Sequence, residues 1–381
     1  MATTLDSLAM TSETTLKVNR IVQMLAIENL DGLLLSSQHN FSWLTGGARN
    51  SIDSSREAGA GALLVGKDGR CFVLANPIEM PRLLSEELSN SNFEPVEFAW
   101  EDEQSSSSFL EDKAFELLGH RAQLGSDLNL SSNSRFVEAA VARCRYQLID
   151  SELEKFRRLG LDAGEAIGEL VRTLEPGQTE QEVAARVVCV LAARGVHAVV
   201  NLIAADDRIR NFRHPVPTDR RWKRVLMVVV CARRSGLIVS LTRIICSGSV
   251  PDELCSRTMA AARVNAQLLA ATTPGATGAE LYAVAARSYA DEGFPGEQLR
   301  HHQGGACGYR TRDWLAHPKS AEVVCLNQAF AWNPTVTGSK VEDTCIVQAD
   351  GVELITATPD WPKISLDVNG RVYYSTDVLA I

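Results

Sequence analysis

From Asp150 onward, pairs of helical patterns alternate with strand patterns, and this order restricts the possible folds more than any other feature. The helical segments repeat apolar side chains at the spacing of an amphipathic helix. One of them opens with Thr179 and Glu182, the sequence signature of a capping box. We therefore predict an α+β domain with an internal structural repeat over residues 150–381. The predicted helices cover residues 152–171, 179–194, 251–271 and 278–292, and the predicted strands cover 196–204, 225–231 and segments after 323.

The first part of the chain, residues 16–147, predicts a smaller α/β domain. A helical segment precedes the strand pattern of residues 30–36, and two further strand patterns flank a Lys-Asp-Gly turn at residues 67–69. Residues 1–15 are rich in serine and threonine and lack an apolar core. We interpret them as a disordered lead-in, because they resemble neither a secretory signal nor an organelle transit peptide.

Charge, hydropathy and cysteine usage exclude several classes of partner. The net charge of −9 at pH 7 argues against a nucleic-acid partner. The longest purely apolar run, Val225–Ala232, is too short to cross a membrane. The 9 cysteines form no C-x-x-C pair, which favours reduced thiols and a cytoplasmic location. Among them only Cys307 lies in a glycine-rich stretch, where it is an alternative nucleophile.

That stretch, residues 299–314, concentrates residue types that perform chemistry. His301 and His302 are adjacent, glycines stand at positions 304, 305 and 308, and arginines stand at positions 300, 310 and 312. Imidazoles transfer protons or bind metals near neutral pH, and guanidinium groups bind carboxylates through a planar fork. We place the functional site here. The alternative interpretation is a glycine-rich hairpin with a solvated, charged face.

Six short motifs follow one another along nearly the whole chain. They are Asn40–Gly46, the Glu-Pro-Gly-Gln-Thr run from Glu175, Arg213-His214-Pro215, Ser240–Arg243, His302–Gly305 and Val341–Thr344. Together they resemble the pita-bread superfamily, which includes methionine aminopeptidases, prolidases, aminopeptidase P and creatinase. The resemblance implies a pita-bread catalytic domain over residues 150–381, preceded by a creatinase-type N-terminal domain. It also implies a homodimer in which that N-terminal domain covers the partner's cavity.

The metallopeptidases of this superfamily bind two divalent metals through two aspartates, one histidine and two glutamates. When the motifs are aligned with the family pattern, three of the four positions that carry carboxylate ligands hold neutral residues in this chain. We therefore predict that the metal centre is lost and that no cofactor is bound. The alternative is a different register, with Asp206, Asp207 or Asp219 as ligands. The five family positions correspond to Val229, Ser240, His302, Asn333 and Glu342.

Similarity to the metal-free creatinase branch implies that a histidine transfers the proton and that arginines hold the substrate carboxylate. We predict His214 as the general acid or base, with His301 and His302 facing the same cavity. Both adjacent histidines have a glycine three residues on, so which one matches the family histidine stays open. Glu342 is predicted to orient an imidazole, or alternatively to form a buried ion pair with Lys340 or Arg243.

The predicted substrate is a small anionic or zwitterionic molecule that carries a carboxylate. Arg312, with Tyr309, matches the creatinase pattern, and Asn333 is predicted to donate to a carbonyl oxygen where a metal once polarised it. By the same resemblance, Arg49 and Arg56 are predicted to clamp the carboxylate from the partner subunit.

Three functions remain open from the sequence. The first is a metal-independent, creatinase-like hydrolase or lyase acting on a C–N bond. The second is an Xaa-Pro-type metallopeptidase with a rearranged site. The third is a non-catalytic pseudoenzyme or binding protein of the same fold.

Overall fold

The computed structural model describes residues 3–89 and 91–381. The chain divides into two compact units, Met1–Glu152 and Leu153–Ile381. Mixed helices and strands in both units confirm the predicted α+β class. No helix in the described ranges combines the length and the apolar character needed to span a bilayer.

The first unit is built on one six-stranded mixed sheet, in the strand order β4-β3-β2-β1-β5-β6. The hairpin predicted at the Lys-Asp-Gly turn is present, since β2 and β3 pair antiparallel across it. The strands are β1 (Gly32–Ser37), β2 (Ala58–Gly66), β3 (Cys71–Ala75), β4 (Glu94–Glu97), β5 (Leu124–Ser126) and β6 (Arg135–Phe136). The helices are α1 (Thr3–Glu28), α2 (Gln38–Leu44), α3 (Met80–Arg82, continued by a π-helical turn at Leu83–Glu87), α4 (Trp100–Ser105), α5 (Phe109–Leu118) and α6 (Glu138–Arg145).

The helix α1 corrects the expectation of a disordered lead-in. It begins at Thr3, while residues 1 and 2 lie outside the described residues. Near the end of the supposed lead-in, the buried Glu13 lies 2.6 Å from the ammonium of Lys17, which also lies 2.8 Å from Glu152. The low hydrophobicity of residues 1–15 suggested disorder, but these ion pairs anchor the helix through polar groups.

The motif at Asn40 has a structural role in this unit. The Asn40 amide donates to Asp127 at 3.0 Å and to Glu138 at 2.7 Å, and its oxygen accepts from Arg145 at 2.6 Å. Arg145 also donates to Glu138 at 2.8 Å, and His39 lies 3.2 Å from the same carboxylate. The polar residues of the motif therefore tie α2 to α6 and to the end of β5.

The second unit contains the predicted helix pairs and strands. Both predicted capping interactions at the start of α8 are present, because Thr179 and Glu182 each bond the other's backbone amide. Its helices are α7 (Asp150–Val171), α8 (Glu180–Ala192), α9 (Arg208–Asn211), α10 (Asp252–Ala271) and α11 (Gly278–Asp291), followed by a 3-10 turn at Glu297–Leu299.

Two sheets, in which most neighbouring strands are antiparallel, contain or adjoin the site residues. One sheet has the order β19-β9-β8-β7, with β19 parallel to β9, and the other has the order β11-β10-β12-β15-β16. Two hairpins, β13-β14 and β17-β18, complete the unit. The strands are β7 (His197–Ala205), β8 (Val225–Arg234), β9 (Leu237–Cys246), β10 (Gly304–Cys307), β11 (Trp314–Leu315), β12 (Ala329–Trp332), β13 (Thr335–Val336), β14 (Ser339–Lys340), β15 (Asp343–Gln348), β16 (Gly351–Leu354), β17 (Lys363–Val368), β18 (Arg371–Thr376) and β19 (Leu379–Ala380).

Candidate functional site

Three histidines from two separate loops meet in the second unit. His214 follows α9, and His301 and His302 follow the 3-10 turn ahead of β10. The Nε2 atoms of His214 and His301 lie 3.2 Å apart, so one donates a hydrogen bond and the other accepts it. The rings of His301 and His302 stack with their centroids 4.4 Å apart. One ring nitrogen of each residue lies within 4.8 Å of the other two.

A polar network holds the His214 loop in place. The guanidinium of Arg213 donates to Glu297 and to the hydroxyl of Thr337, both at 2.7 Å. The Thr337 hydroxyl in turn donates to the other carboxylate oxygen of Glu297 at 2.6 Å. Because Glu297 belongs to the turn just before His301, this network fixes the two histidine loops relative to each other.

The residues after His302 anchor the other side of the cluster. The Gln303 side chain donates to the carbonyl of His301 at 2.6 Å and accepts from the hydroxyl of Tyr289 at 2.5 Å. Gly304 has a φ of 105°, and a Cβ at this position would lie 2.1 Å from the carbonyl oxygen of Ala331. Only glycine therefore allows β10 to approach β12 directly beside the histidines.

Burial and neighbouring cations keep the three imidazoles neutral. Burial lowers the pKa of His301 to about 2 and that of His302 to about 4, and the positive charge of Lys340 acts in the same direction on both. For the more exposed His214, burial and then Lys340 also lower the pKa. Neutral imidazoles have a free lone pair, so they are able to accept a proton or bind a metal.

Glu342 lies in a cage of positive and hydroxyl groups. Its Oε2 lies 2.8 Å from the Lys340 ammonium and accepts from the Thr242 hydroxyl at 2.7 Å. Its Oε1 accepts from the Arg312 guanidinium at 3.2 Å. Burial opposes ionisation, but the charges of Lys340 and Arg312 lower the pKa of Glu342 to about 2. The carboxylate is thus charged and already neutralised by the protein's own cations.

The family's two-metal centre does not fit these residues. Val229 is 3% exposed and packs in an apolar cluster with Met227 and Ile244. The hydroxyl of Ser240 accepts from Arg312 at 3.3 Å, and Asn333 is a neutral amide. Divalent metals in such centres need several carboxylate oxygens, and here the remaining carboxylate, Glu342, is bound to two fixed cations.

The alternative metal register also finds no support in the structure. The Asp206 carboxylate accepts from the backbone amides of Lys223, Arg224 and Val225 at 2.9 to 3.0 Å, which ties the loop to the start of β8. Asp207 forms an ion pair with Arg220. Asp219 lies in the exposed loop before β8. None of the three belongs to the histidine cluster.

Of the predicted substrate-binding residues, the structure places Arg312 and Asn333 in this region. Tyr309 is 2% exposed. Arg49 and Arg56 belong to the first unit, where Arg49 pairs with Glu87 at 3.2 Å and Arg56 lies exposed before β2. Their role in the partner's site stays a prediction. Cys307 is buried, and burial raises the pKa of its thiol, so a reactive thiolate is disfavoured there.

Several buried polar atoms around the histidines have no hydrogen-bond partner among the described residues. An unsatisfied buried polar group costs roughly 1–3 kcal/mol, so a ligand that pairs with such groups is stabilised. Their presence is typical of a site that binds a polar molecule. They are Arg213 Nη1, His301 Nδ1, His302 Nδ1, Arg312 Nε and Asn333 Oδ1.

Lys340 is the site residue whose importance the sequence analysis missed. From the sequence, Lys340 and Arg243 are equal candidates for an ion pair with Glu342. The structure separates these two cations, since Arg243 pairs with Asp343 at 2.9 Å. The signal was present in the sequence, because residues two apart in extended chain face the same side and Lys340 precedes Glu342 by two.

Comparisons with known proteins agree with this architecture. The model of metallopeptidase family M24 matches residues 154–349. The structure is similar to prolidase from Pyrococcus horikoshii OT3, with 20% identity, 90% of this chain and 98% of that chain covered, and a TM-score of 0.73. It is similar to dipeptidase PepE from Mycobacterium ulcerans, with 15% identity, coverages of 97% and 99%, and a TM-score of 0.76. None of the curated sequences compared with this chain matches it.

One similar structure is not described as a peptidase. It is the N-terminal domain of the FACT complex subunit SPT16 from Cicer arietinum (chickpea). The identity is 12%, the coverages are 91% of this chain and 97% of that chain, and the TM-score is 0.67. At these identities the structural matches establish the fold, and they include both hydrolases and a subunit of a larger complex.

Proposed function

We propose that this chain, which belongs to metallopeptidase family M24, is a hydrolase or lyase that cleaves a C–N bond of a small carboxylate-bearing substrate. We further propose that it does so without a metal ion. One observation carries the proposal. Lys340 and Arg312 neutralise Glu342, where the family's metals bind, and three neutral imidazoles lie beside them. Fixed side-chain cations and a base therefore stand where metals supplied charge and activated water.

In this proposal His214 performs the proton transfers. Its neutral imidazole takes a proton from water, and the resulting hydroxide adds to the electrophilic carbon of the C–N bond. The bond then breaks as the nitrogen takes the proton back from the imidazolium, so the elements of water are divided between the two products. In the elimination variant, the same base takes a proton from the carbon next to the C–N carbon, and a carbon–carbon double bond forms. The nitrogen leaves with the electron pair of the C–N bond and takes the proton from the imidazolium. Such general acid–base catalysis contributes roughly 10²- to 10⁴-fold in rate.

The remaining residues act on charge and orientation. His301, 3.2 Å from His214, fixes the tautomer of the base through their shared hydrogen bond. Lys340 stabilises the negative charge that develops on the oxygen of a reacting carbonyl group. The free Nε of Arg312 donates to the substrate's carboxylate. The Asn333 amide nitrogen donates to the substrate's carbonyl oxygen, and the free Asn333 Oδ1 accepts from a substrate N–H. A small anionic or zwitterionic substrate matches this arrangement of donors.

The test begins with a substrate screen of guanidino acids, N-methylated amino acids and proline dipeptides, using protein stripped of metal with a chelator. Turnover that continues in excess chelator supports the proposal. His214→Ala should then lower kcat by at least about 100-fold, and Arg312→Ala should chiefly raise KM. His317→Ala is the matched control, because His317 is an exposed histidine of the same unit outside the cluster.

Two alternatives have distinct signatures in the same screen. Family membership favours an Xaa-Pro-type metallopeptidase with a rearranged site, and its turnover of proline dipeptides should require added manganese or cobalt. The similarity to the SPT16 domain favours a binding protein of this fold. In that case no candidate is turned over, and carboxylate ligands bind to the wild type and to His214→Ala equally well.

A further inference from the structure

We infer that His214, His301 and His302 form a mononuclear binding site for a borderline transition metal such as Zn²⁺, and that metal bound there inhibits the enzyme. This site differs from the family's carboxylate centre in both its ligands and the metals it selects. Metal binding follows from the geometry alone. Inhibition rests on the proposed function, because it assumes that His214 is the base.

The spacing of the ring nitrogens fits a metal of this kind. Zinc–nitrogen bonds of about 2.0–2.1 Å in a tetrahedral site place two ligand nitrogens roughly 3.3 Å apart. The Nε2 atoms of His214 and His301 already lie 3.2 Å apart. A nitrogen of His302 lies within 4.8 Å of both partners, so a rotation of its ring that moves the nitrogen by roughly 1.5 Å completes the set.

The chemistry of the ligands decides which metals bind. The site offers imidazole nitrogens, whereas the nearby Glu342 has its oxygens bound to Lys340, Thr242 and Arg312. Nitrogen ligands favour zinc, copper, nickel and cobalt, while magnesium, calcium and manganese prefer oxygen. Three imidazoles are also the protein ligands of some catalytic zinc sites.

The surroundings make this metal a reversible ligand. Metal-bound histidines usually donate their second ring nitrogen to an acceptor, and loss of that acceptor weakens binding by roughly 10- to 100-fold. Nδ1 of His301 and Nδ1 of His302 are buried and have no partner among the described residues. The positive charge of Lys340, which lowers the pKa of all three imidazoles, further opposes an added cation. We therefore expect zinc to exchange with solution.

Bound metal blocks the proposed chemistry for a simple reason. A metal ion takes up the lone pair of each imidazole, and His214 needs that lone pair to accept a proton from water. Zinc should therefore lower turnover in proportion to occupancy, and a chelator should restore it.

The binding experiment uses the full chain, stripped of metal, without any substrate. Zinc is titrated by competition with a chromophoric chelator, and Co²⁺ is added separately to record its visible d–d absorption. We expect 1 equivalent of zinc per chain, a cobalt spectrum of tetrahedral intensity, and no binding of Mg²⁺ or Mn²⁺ at the same concentration. His301→Ala should weaken zinc binding at least about 10-fold, whereas His317→Ala should leave it unchanged.

Two results would overturn the metal site. One is zinc binding of equal affinity in wild type and His301→Ala, with circular dichroism showing that both are folded. The other is uptake of 2 equivalents of manganese, which would indicate the family's carboxylate centre instead. If zinc binds through the histidines yet leaves turnover unchanged, the inferred inhibition and the assignment of His214 as the base are both wrong, while the metal site stands.

Discussion

At the scale of single residues, Lys340 decides how this site differs from a metal centre. Its ammonium lies 2.8 Å from Glu342 and is 5% exposed, so the pair is desolvated. Removing one partner of such a pair leaves an uncompensated buried charge, which costs more than the pair itself contributes. The lysine therefore supports the fold of the site and supplies its positive charge at once.

We predict that Lys340→Met destabilises the protein by roughly 1.5–3 kcal/mol, because Glu342 loses one of its two cations and keeps Arg312 as its charged partner. Urea unfolding followed by circular dichroism measures the change. Arg210→Met is the control, since Arg210 pairs with Glu253 at 2.6 Å on the surface, with side chains 50% and 59% exposed. An equal effect of both substitutions would contradict the role of burial.

A second residue-scale prediction concerns Glu138 in the first unit. Burial opposes its ionisation, but His39 and Arg145 lower its pKa to about 2 from an ordinary 4.5. Because the folded pKa lies below the unfolded one, the stabilisation of roughly 3 kcal/mol is complete above about pH 5 and is lost as the pH falls toward 2.

Glu138→Gln should accordingly lower stability at pH 7 and reduce its further loss on acidification. Urea midpoints measured from pH 7 to pH 3 test this expectation. Glu116→Gln serves as the exposed control, because Glu116 pairs with Lys113 at the surface. Parallel curves for wild type and Glu138→Gln across the whole pH range would refute the assignment.

At the scale of elements, the pairing of β10 with β12 holds the histidine loop. Gly304 pairs with Trp332, and the next backbone contact joins the amide of Asn333 to the carbonyl of Gln303 at 3.0 Å. The loop with His301 and His302 therefore takes its position from the strand edge, and any displacement of β10 moves both rings.

We predict that Gly304→Ala separates these strands and weakens both stability and zinc binding, because the new methyl would lie 2.1 Å from a carbonyl oxygen. Gly293→Ala is the matched control, since Gly293 also has a positive φ, of 83°, but open space around its Cβ position. The control should cost only about 1 kcal/mol from backbone strain. Similar unfolding midpoints for the two variants would show that the close approach is unimportant.

At the scale of the whole molecule, we predict a homodimer, on the grounds of the creatinase-type N-terminal domain. Light scattering at micromolar concentrations should give twice the mass of the 381-residue chain. Dilution to nanomolar concentrations, followed by mass photometry, tests how stable the dimer is. A single-chain mass at every concentration would rule out a site completed by Arg49 or Arg56 of a partner.

The sequence by itself determined the fold family. Local patterns predicted the features that depend on neighbouring residues. These are the helix cap at Thr179, the hairpin at residues 67–69, and the order of helices and strands. The assignment of Val229, Ser240 and Asn333 to the family's ligand positions rests on the resemblance of the motifs and stays a prediction. The helix over residues 3–15 was not predicted, because it is polar and because Lys17, the partner of Glu13, also pairs with Glu152, which is distant in the sequence.

Only the tertiary structure decided how the site residues meet. His214 and His301 are 87 residues apart in the chain, and no local pattern specifies a contact of 3.2 Å between them. Strand pairing also decides that Lys340, and not Arg243, is the partner of Glu342. Thr242 in β9 pairs with Glu342, and the neighbouring Arg243 forms its ion pair with Asp343. The sequence shows which residue types are available for the site. The distances between their side chains and the balance of their charges depend on how loops from separate elements pack together.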